Sequence, residues 1–370
     1  MILEWMTHDS LLGGDWPKLV GRLGGATVIA ADARETGAFR RARGFESAVD
    51  LLRMVLAYCL GDKGLRLTAA WAASIGLADV SNVALLKRLR NCGDWLGVLV
   101  GRALAKATPE AAHGRLIRIV DATTVPKAGA NPATSNKLWR IHGAFDLPCE
   151  RFGFFELTDE RGGETLDRVP VVKGEIRIGD RAYLQPDRLA AIRAAGADVI
   201  VRAGWRNARW LDADGGSLDL LGALRKVRTG GHLDMPVWVG RRSGAAVPMR
   251  LVAIRKPPLA AEAARRKARR EARRGGHQLS KGTLAAADWV ILVTSLERTQ
   301  FAAADILALY RTRWRIELAF KRLKSLVGLR GPPGGDERSA RPYLLAHLLI
   351  ILLLEPLIDE LGDSPRRAAA

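Results

Sequence analysis

The chain predicts a mixed α/β fold with a helical N-terminal region, and three observations point there. Helix-period apolar patterning runs from Trp16 to about Ala112. Short strand-like runs separated by turns begin after Gly114. A helix rich in cations and aromatic residues follows, from Tyr310 to Lys324. Apolar residues every three to four positions mark helices with a buried face, whereas short runs bounded by turn residues mark strands. With 370 residues and 48% hydrophobic content, the chain can bury a sizeable core in two or three domains. Its 58 Lys+Arg against 39 Asp+Glu give a net charge of +19, which calls for a polyanionic partner.

The elements follow in order. Ala48 to Leu60 and Asp79 to Arg90 carry helical apolar spacing, and Lys87, Arg88 and Arg90 at the end of the second either complement the helix dipole or lie on DNA. Strands are expected at Leu116–Val120, Leu138–Phe145, Phe152–Leu157, Glu175–Ile178 and Ala197–Val201. Between the last two, Pro186 to Gly196 reads as a helix with Pro inside its start and Gly past its end. That order describes a mixed sheet with helices, not a doubly wound array. The stretch from about Gly204 to Asp288 looks inserted: two strand-like pieces at Met235 and Val247 give way to a basic helix. Between Arg255 and Lys281 ten Lys/Arg face two Glu, and Arg265, Arg266, Arg269 and Arg270 are candidate contacts to the DNA backbone. Trp289 to Leu296 returns as a strand. Leu344 to Leu354 is strongly apolar but holds His347 and is followed by Glu355 and Pro356, so it reads as a buried helix and not a membrane span. Glu4, His8 and Asp9 break the opening apolar run, so no secretory signal is expected and the chain is placed in the cytoplasm, acting at the nucleoid. Cys59, Cys92 and Cys149 are too few and too scattered for a disulfide framework or a Cys-based zinc site.

The final helix carries the chemistry. At ~100° per residue, Tyr310, Arg313, Glu317, Lys321 and Lys324 share roughly a quarter of the circumference, and Ala308, Thr312, Ile316, Ala319 and Leu323 collect away from it. An ordinary helix with a solvated face has such a pattern, but a lone carboxylate among phosphate-binding cations also suits phosphodiester chemistry. Asp121, expected to close the first strand, and Asp180, after the fourth, are candidate partners for Glu317. Each Asp alone reads as a turn or cap residue. Together the three supply the hard oxygen ligands that two divalent cations about 4 Å apart require.

These residues resemble a known family. Tyr310, two residues, Arg313, three residues, Glu317, six residues, Lys324 matches the Tyr-Arg-Glu-Lys signature of transposases of the fourth insertion-sequence family, members of the DDE group. Asp121 in Val-Asp-Ala-Thr and Asp180 in Gly-Asp-Arg-Ala-Tyr look like that family's first and second aspartates. The resemblance implies an RNase H-like catalytic core in which Asp121, Asp180 and Glu317 bind two Mg²⁺, with Mn²⁺ as a substitute. It implies cut-and-paste transposition, commonly through a hairpin end, on double-stranded DNA comprising terminal inverted repeats and target. Tyr310, Arg313 and Lys324 would hold terminal phosphates, and a homodimer would bridge two transposon ends. Trp314 is a candidate stacking partner for an unpaired base or a packing residue. Arg181 either touches DNA or balances Asp180, and His142 is expected to be structural. The expected division is a helical, DNA-binding 1–112, core parts at 113–204 and 289–332, a β-rich insertion at 205–288 and a C-terminal helical segment at 333–370. Two other readings stand beside the transposase: an RNase H-like endonuclease that cleaves without joining, and a non-catalytic DNA-binding protein derived from a transposase.

Overall fold

The computed structural model describes residues 14–61, 63–107, 114–127, 137–147, 151–228, 230–326, 328–329, 331–333 and 336–360. Cys149 and Leu361 lie outside the described residues. Among the described residues six helices come first: α1 (Trp16–Arg22), α2 (Gly25–Glu35), α3 (Ala48–Leu60), α4 (Leu65–Ser74), α5 (Asn82–Arg90) and α6 (Gly93–Ala107). Ser47 caps α3 by accepting the Asp50 N–H, and Ser81 caps α5 by accepting that of Ala84. Leu51, Leu52, Met54, Val55 and Leu56 are all fully buried, so α3 is the central helix of this body. The C-terminal helix α13 (Glu337–Glu360) packs chiefly on α6 and also on α3 and α5. Chain ends that the sequence separates therefore share one core, and Leu344 to Leu354 is buried there. Among the described residues no helix is long and apolar enough to cross a membrane.

Nine described strands form one sheet. They are β1 (Ile117–Pro126), β2 (Leu138–Asp146), β3 (Arg151–Asp159), β4 (Ile176–Gly179), β5 (Asp198–Ala203), β6 (Arg209–Leu211), β7 (His232–Gly240), β8 (Val247–Arg255) and β9 (Trp289–Thr294). Their spatial order is β3-β2-β1-β4-β5-β9-β8-β7-β6. The first three strands are antiparallel neighbours, β4 and β5 run parallel to β1, and β9 turns the sheet antiparallel again. Strands β6 to β8 thus extend the same sheet through β9 rather than folding apart. Helix α7 (Pro186–Ala194) crosses between β4 and β5, α8 (Leu220–Arg225) follows β6, and α9 (Pro258–Arg274) and α10 (Lys281–Ala287) link β8 to β9. Then come α11 (Ala303–Arg311) and α12 (Trp314–Leu326).

Apolar cores lie on both sheet faces. One joins α11, α12 and the helical body; the other packs α7 and α8 against β5, β7, β8 and β9. Near the start of β1 and β4 a buried ion network stiffens the sheet: Arg118 pairs with Asp146 at 2.6 Å and Glu175 at 3.3 Å, and Arg177 with Glu175 at 2.6 Å. Such buried charges are tolerable because every member is paired.

Candidate active site

Two acids are placed by strand register. β1 and β4 are parallel, with Ile119 opposite Ile178, and carrying that register on by two residues sets Asp180 beside Asp121. Asp121 does not close its strand as expected, because β1 continues to Pro126 along β2 after its pairing with β4 stops. The carboxylate of Asp121 accepts the Ala122 N–H at 2.8 Å. Asp180 leaves the sheet and caps a short 3₁₀ turn, accepting the Ala182 N–H at 2.7 Å.

The third acid comes from a helix that is not the one expected. The continuous helix read from Tyr310 to Lys324 is broken at Thr312 and Arg313. The Thr312 hydroxyl donates to the Leu309 carbonyl at 2.6 Å, and the N–H groups of Arg313 and Arg315 bond three residues back, to Tyr310 and Thr312. That tighter pattern restarts the helix with a new phase. A helical wheel carried across the break therefore fails in α11, where Tyr310 is buried and Ala308 exposed. Within α12 the expected faces hold: Ile316, Ala319 and Leu323 are buried, while Glu317, Lys321 and Lys324 are exposed.

A glycine brings α12 close. Gly143 of β2 lies opposite Asp121, and a Cβ there would stand 2.9 Å from the Phe320 ring. Phe320 packs over that spot against Phe152, with ring centroids 5.3 Å apart. The helix is tied down on the same side, since the Lys324 ammonium donates to the Thr124 carbonyl at 3.2 Å. Arg313 then bridges the two elements: one guanidinium nitrogen lies 3.2 Å from the Asp121 carboxylate and another pairs with Glu317.

Burial pushes the Asp121 carboxyl up to about 6, against the Ala122 N–H and Arg313, and the charges of Asp180 and Glu164 add to the rise. Glu164 was not singled out from sequence. Its own carboxyl is raised by burial and by Asp180, and Arg140 holds it at 3.3 Å. The buried Tyr183 hydroxyl lies among these acids and has no hydrogen-bond partner among the described residues. The donor set suits a hard divalent cation, which would relieve the carboxylate repulsion around Asp121. Among the described residues, however, no three acid, His or Cys side chains gather closely enough to hold one ion together. The cation shared by Asp121 and Glu317 is Arg313.

Beside Asp180 opens a cleft of about 510 Å³, lined by Arg181, Arg202, Lys256, Trp205, Tyr310 and Arg313 and bordered by Lys267 of α9. Burial and the neighbouring Arg202 and Arg181 lower the Lys256 ammonium to about 8, and it donates to the Ala287 carbonyl at 2.6 Å. Arg202 and Lys256 were missed because β5 and the end of β8 meet the site through the sheet, not through any local motif. The basic helix divides. Arg265 is engaged by Asp288, whereas Arg266, Arg269 and Arg270 are exposed and line a shallow basic concavity with Arg273. Trp314 is 55% exposed, which removes its reading as a packing residue. His142 is structural as expected: it is buried, bonded to the Thr158 hydroxyl at 2.9 Å, and lowered to about 4 by burial with Arg168 and Arg140 nearby.

The mixed sheet, with β4 and β5 parallel to β1 and apolar cores on both faces, is an RNase H-like fold. The chain belongs to the DDE transposases: the family model described as "Transposase DDE domain" matches residues 112–332. It is 38% identical, over 98% of both chains, to the protein named as transposase InsL for insertion sequence element IS186A of Escherichia coli (strain K12). It is equally identical, over the same share, to the transposase for insertion sequence element IS421 of Escherichia coli. Its fold is similar to that of the piggyBac transposase in a synaptic complex with hairpin DNA, with a TM-score of 0.50 at 11% identity over 97% of this chain and 77% of the other. The protein is thus an insertion-sequence transposase, an enzyme that cleaves DNA and transfers its strands.

Proposed function

We propose that Asp121, Asp180 and Glu317 are the catalytic acids of cut-and-paste transposition and that they hold two divalent ions, Mg²⁺ with Mn²⁺ as a substitute. The observation that carries this reading is the register that sets Asp180 beside Asp121, with Glu317 linked to Asp121 through Arg313. Bound there, the ions would activate water or a 3′-hydroxyl for attack and stabilise the departing oxygen. The protein's own groups do the rest. Arg313, drawn to a DNA phosphate, releases Asp121 and Glu317. Lys321 and Lys324 of α12 and Arg181 in the cleft position the backbone, and Trp314 offers an aromatic face to an unpaired base. Tyr310 lines the same cleft as a wall for the terminal nucleotide, and Arg266, Arg269 and Arg270 hold flanking duplex.

The chain acts on terminal inverted repeats and target DNA, in the cytoplasm at the nucleoid, as a homodimer across two ends, through a hairpin end. Its parts are the helical 1–112, core segments 113–204 and 289–332, the insertion 205–288 and the C-terminal helix. Full Tyr-Arg-Glu-Lys spacing supports the fourth insertion-sequence family. The test is metal-dependent cleavage and joining of labelled DNA bearing the element's terminal repeats, comparing wild type with Asp180→Ala. Cleavage and joining are expected in wild type and not in the variant. Cleavage without joining would mark an endonuclease, and tight end binding without cleavage a derived DNA-binding protein.

A further inference from the structure

The loop between α2 and α3 is held by more interactions than a plain connection needs. Arg88 of α5 reaches across to it and donates to the carbonyls of Arg41, at 2.7 Å, and Arg43, at 3.2 Å. Its guanidinium also stands 5.7 Å from the Phe39 ring centroid and 5.6 Å from that of Phe45. The Phe45 N–H closes a turn on the Ala42 carbonyl at 2.7 Å, with Gly44 at φ +74° in the left-handed region. A side chain at Gly44 would meet Val80 at 2.4 Å, so the turn is locked against the segment preceding α5. Phe45 further bridges Ala78.

This rigid loop presents three cations. Arg40, Arg41 and Arg43 are exposed, and none of them makes an ion pair with an acid among the described residues. Arg40 also borders a cleft of about 510 Å³ whose rim carries Arg90, Arg338 and Arg341 with Asp94 and Glu337. There Arg90 pairs with Asp336 at 2.8 Å and Arg341 lies 4.0 Å from Asp94. Arg338 is exposed beside them. Of the cations at the end of α5, Arg88 fixes this loop, Arg90 is paired with Asp336 and Lys87 is exposed.

We infer that the Arg40–Arg43 loop is a preorganised seat for the phosphate backbone of duplex DNA, on the helical body and apart from the acids, with Arg88 as its positioning residue. Guanidinium groups held on a fixed backbone lose little freedom when they meet phosphates, which strengthens binding without base readout. This inference rests on the DNA-acting reading above.

The test is fluorescence anisotropy of the full chain on a terminal-repeat duplex and on a scrambled duplex, across a salt series. R40Q/R41Q/R43Q should weaken binding to both duplexes alike and flatten the log K against log salt slope by about 2 to 3 units, at ~0.9 per lost contact. The Arg→Lys triple should keep the slope. Arg88→Met leaves the three charges but frees the loop, so it should weaken binding severalfold with the slope kept. A glutamine variant with an unchanged melting temperature and an unchanged slope would overturn the inference while leaving the transposase reading intact. Full affinity in Arg88→Met would overturn the positioning role. Wild-type protein that binds neither duplex would sink both.

Discussion

Asp121 and Asp180 sit on β1 and just past β4, each with a carboxylate oxygen bound to a backbone N–H at 2.8 and 2.7 Å, whereas Glu317 projects from α12 with a side chain 56% exposed and is held by Arg313. Asp121 and Asp180 are each held by a short bond from a neighbouring backbone N–H to a side-chain oxygen. The helix delivers its acid through a long side chain on an element that packs by one apolar stripe. The difference teaches that one half of the site is preformed and the other is adjustable, and that Arg313 is the link between them. In the proposed reading a metal ion competes with Arg313 for the two carboxylates and a DNA phosphate competes with those carboxylates for Arg313, so binding one favours the other.

Changing side-chain length tests the comparison most strongly. Asp180→Glu should lower cleavage by more than ~10³-fold, since a rigid backbone cannot retreat to accommodate the extra methylene and several kcal/mol of charge stabilisation go with the misplaced oxygen. Glu317→Asp should lose closer to ~10-fold, because the exposed side chain and its helix have room to follow. Equal losses in single-turnover cleavage would contradict the division into fixed and adjustable halves.

A second change acts on the distance between the halves. Gly143→Ala places a methyl 2.9 Å from the Phe320 ring and 3.2 Å from that of Phe152, and relief of that clash by α12 carries Glu317 away from β1. Turnover should fall by ~10 to 100-fold, as misplacement of about 1 Å does elsewhere, while end binding changes little. Thermal unfolding should register an effect of comparable size, about 1–3 kcal/mol, from overpacking. Unaltered turnover would mean that α12 does not set the geometry of the site.

The smallest expected effect lies in the link itself. Burial raises the Asp121 carboxyl to about 6 in spite of the opposing Arg313 charge, so Arg313→Gln should move that titration to higher pH in the metal-free protein. Losing a nearby cation disfavours the charged carboxylate, so the protonated form persists to higher pH. Carbon NMR of the Asp121 carboxyl would follow the midpoint. A downward move would show that the pairing between Arg313 and Asp121 does not form in solution.

Parts of this site were legible because local patterns survive folding. The apolar stripe of α12, the Pro-to-Gly bounds of α7 and the buried C-terminal helix all follow from side-chain periodicity and capping chemistry. The break at Thr312 escaped because one hydroxyl bond to Leu309 outweighs helical continuity, and periodicity carries no record of it. Arg265 looked like its neighbours in a basic run, yet Asp288 meets it after the chain has turned through α10. Glu164, Arg140, Arg202 and Lys256 come from four separate segments and have no spacing that marks them as neighbours.

The sequence by itself determined the mixed α/β class and the polyanionic partner implied by a charge of +19, and it put Glu317, Lys321 and Lys324 on one helix face. The first two rest on composition and local pattern, the third on residues within about two turns of one another. Tertiary structure alone decided that β6 to β8 extend the sheet through β9, that the N-terminal helices and α13 share a core, that Gly143 admits α12 and that Arg313 joins Asp121 to Glu317. Those outcomes depend on strand pairing and packing between distant segments, where the free energy belongs to the pair of surfaces and cannot be read from either one.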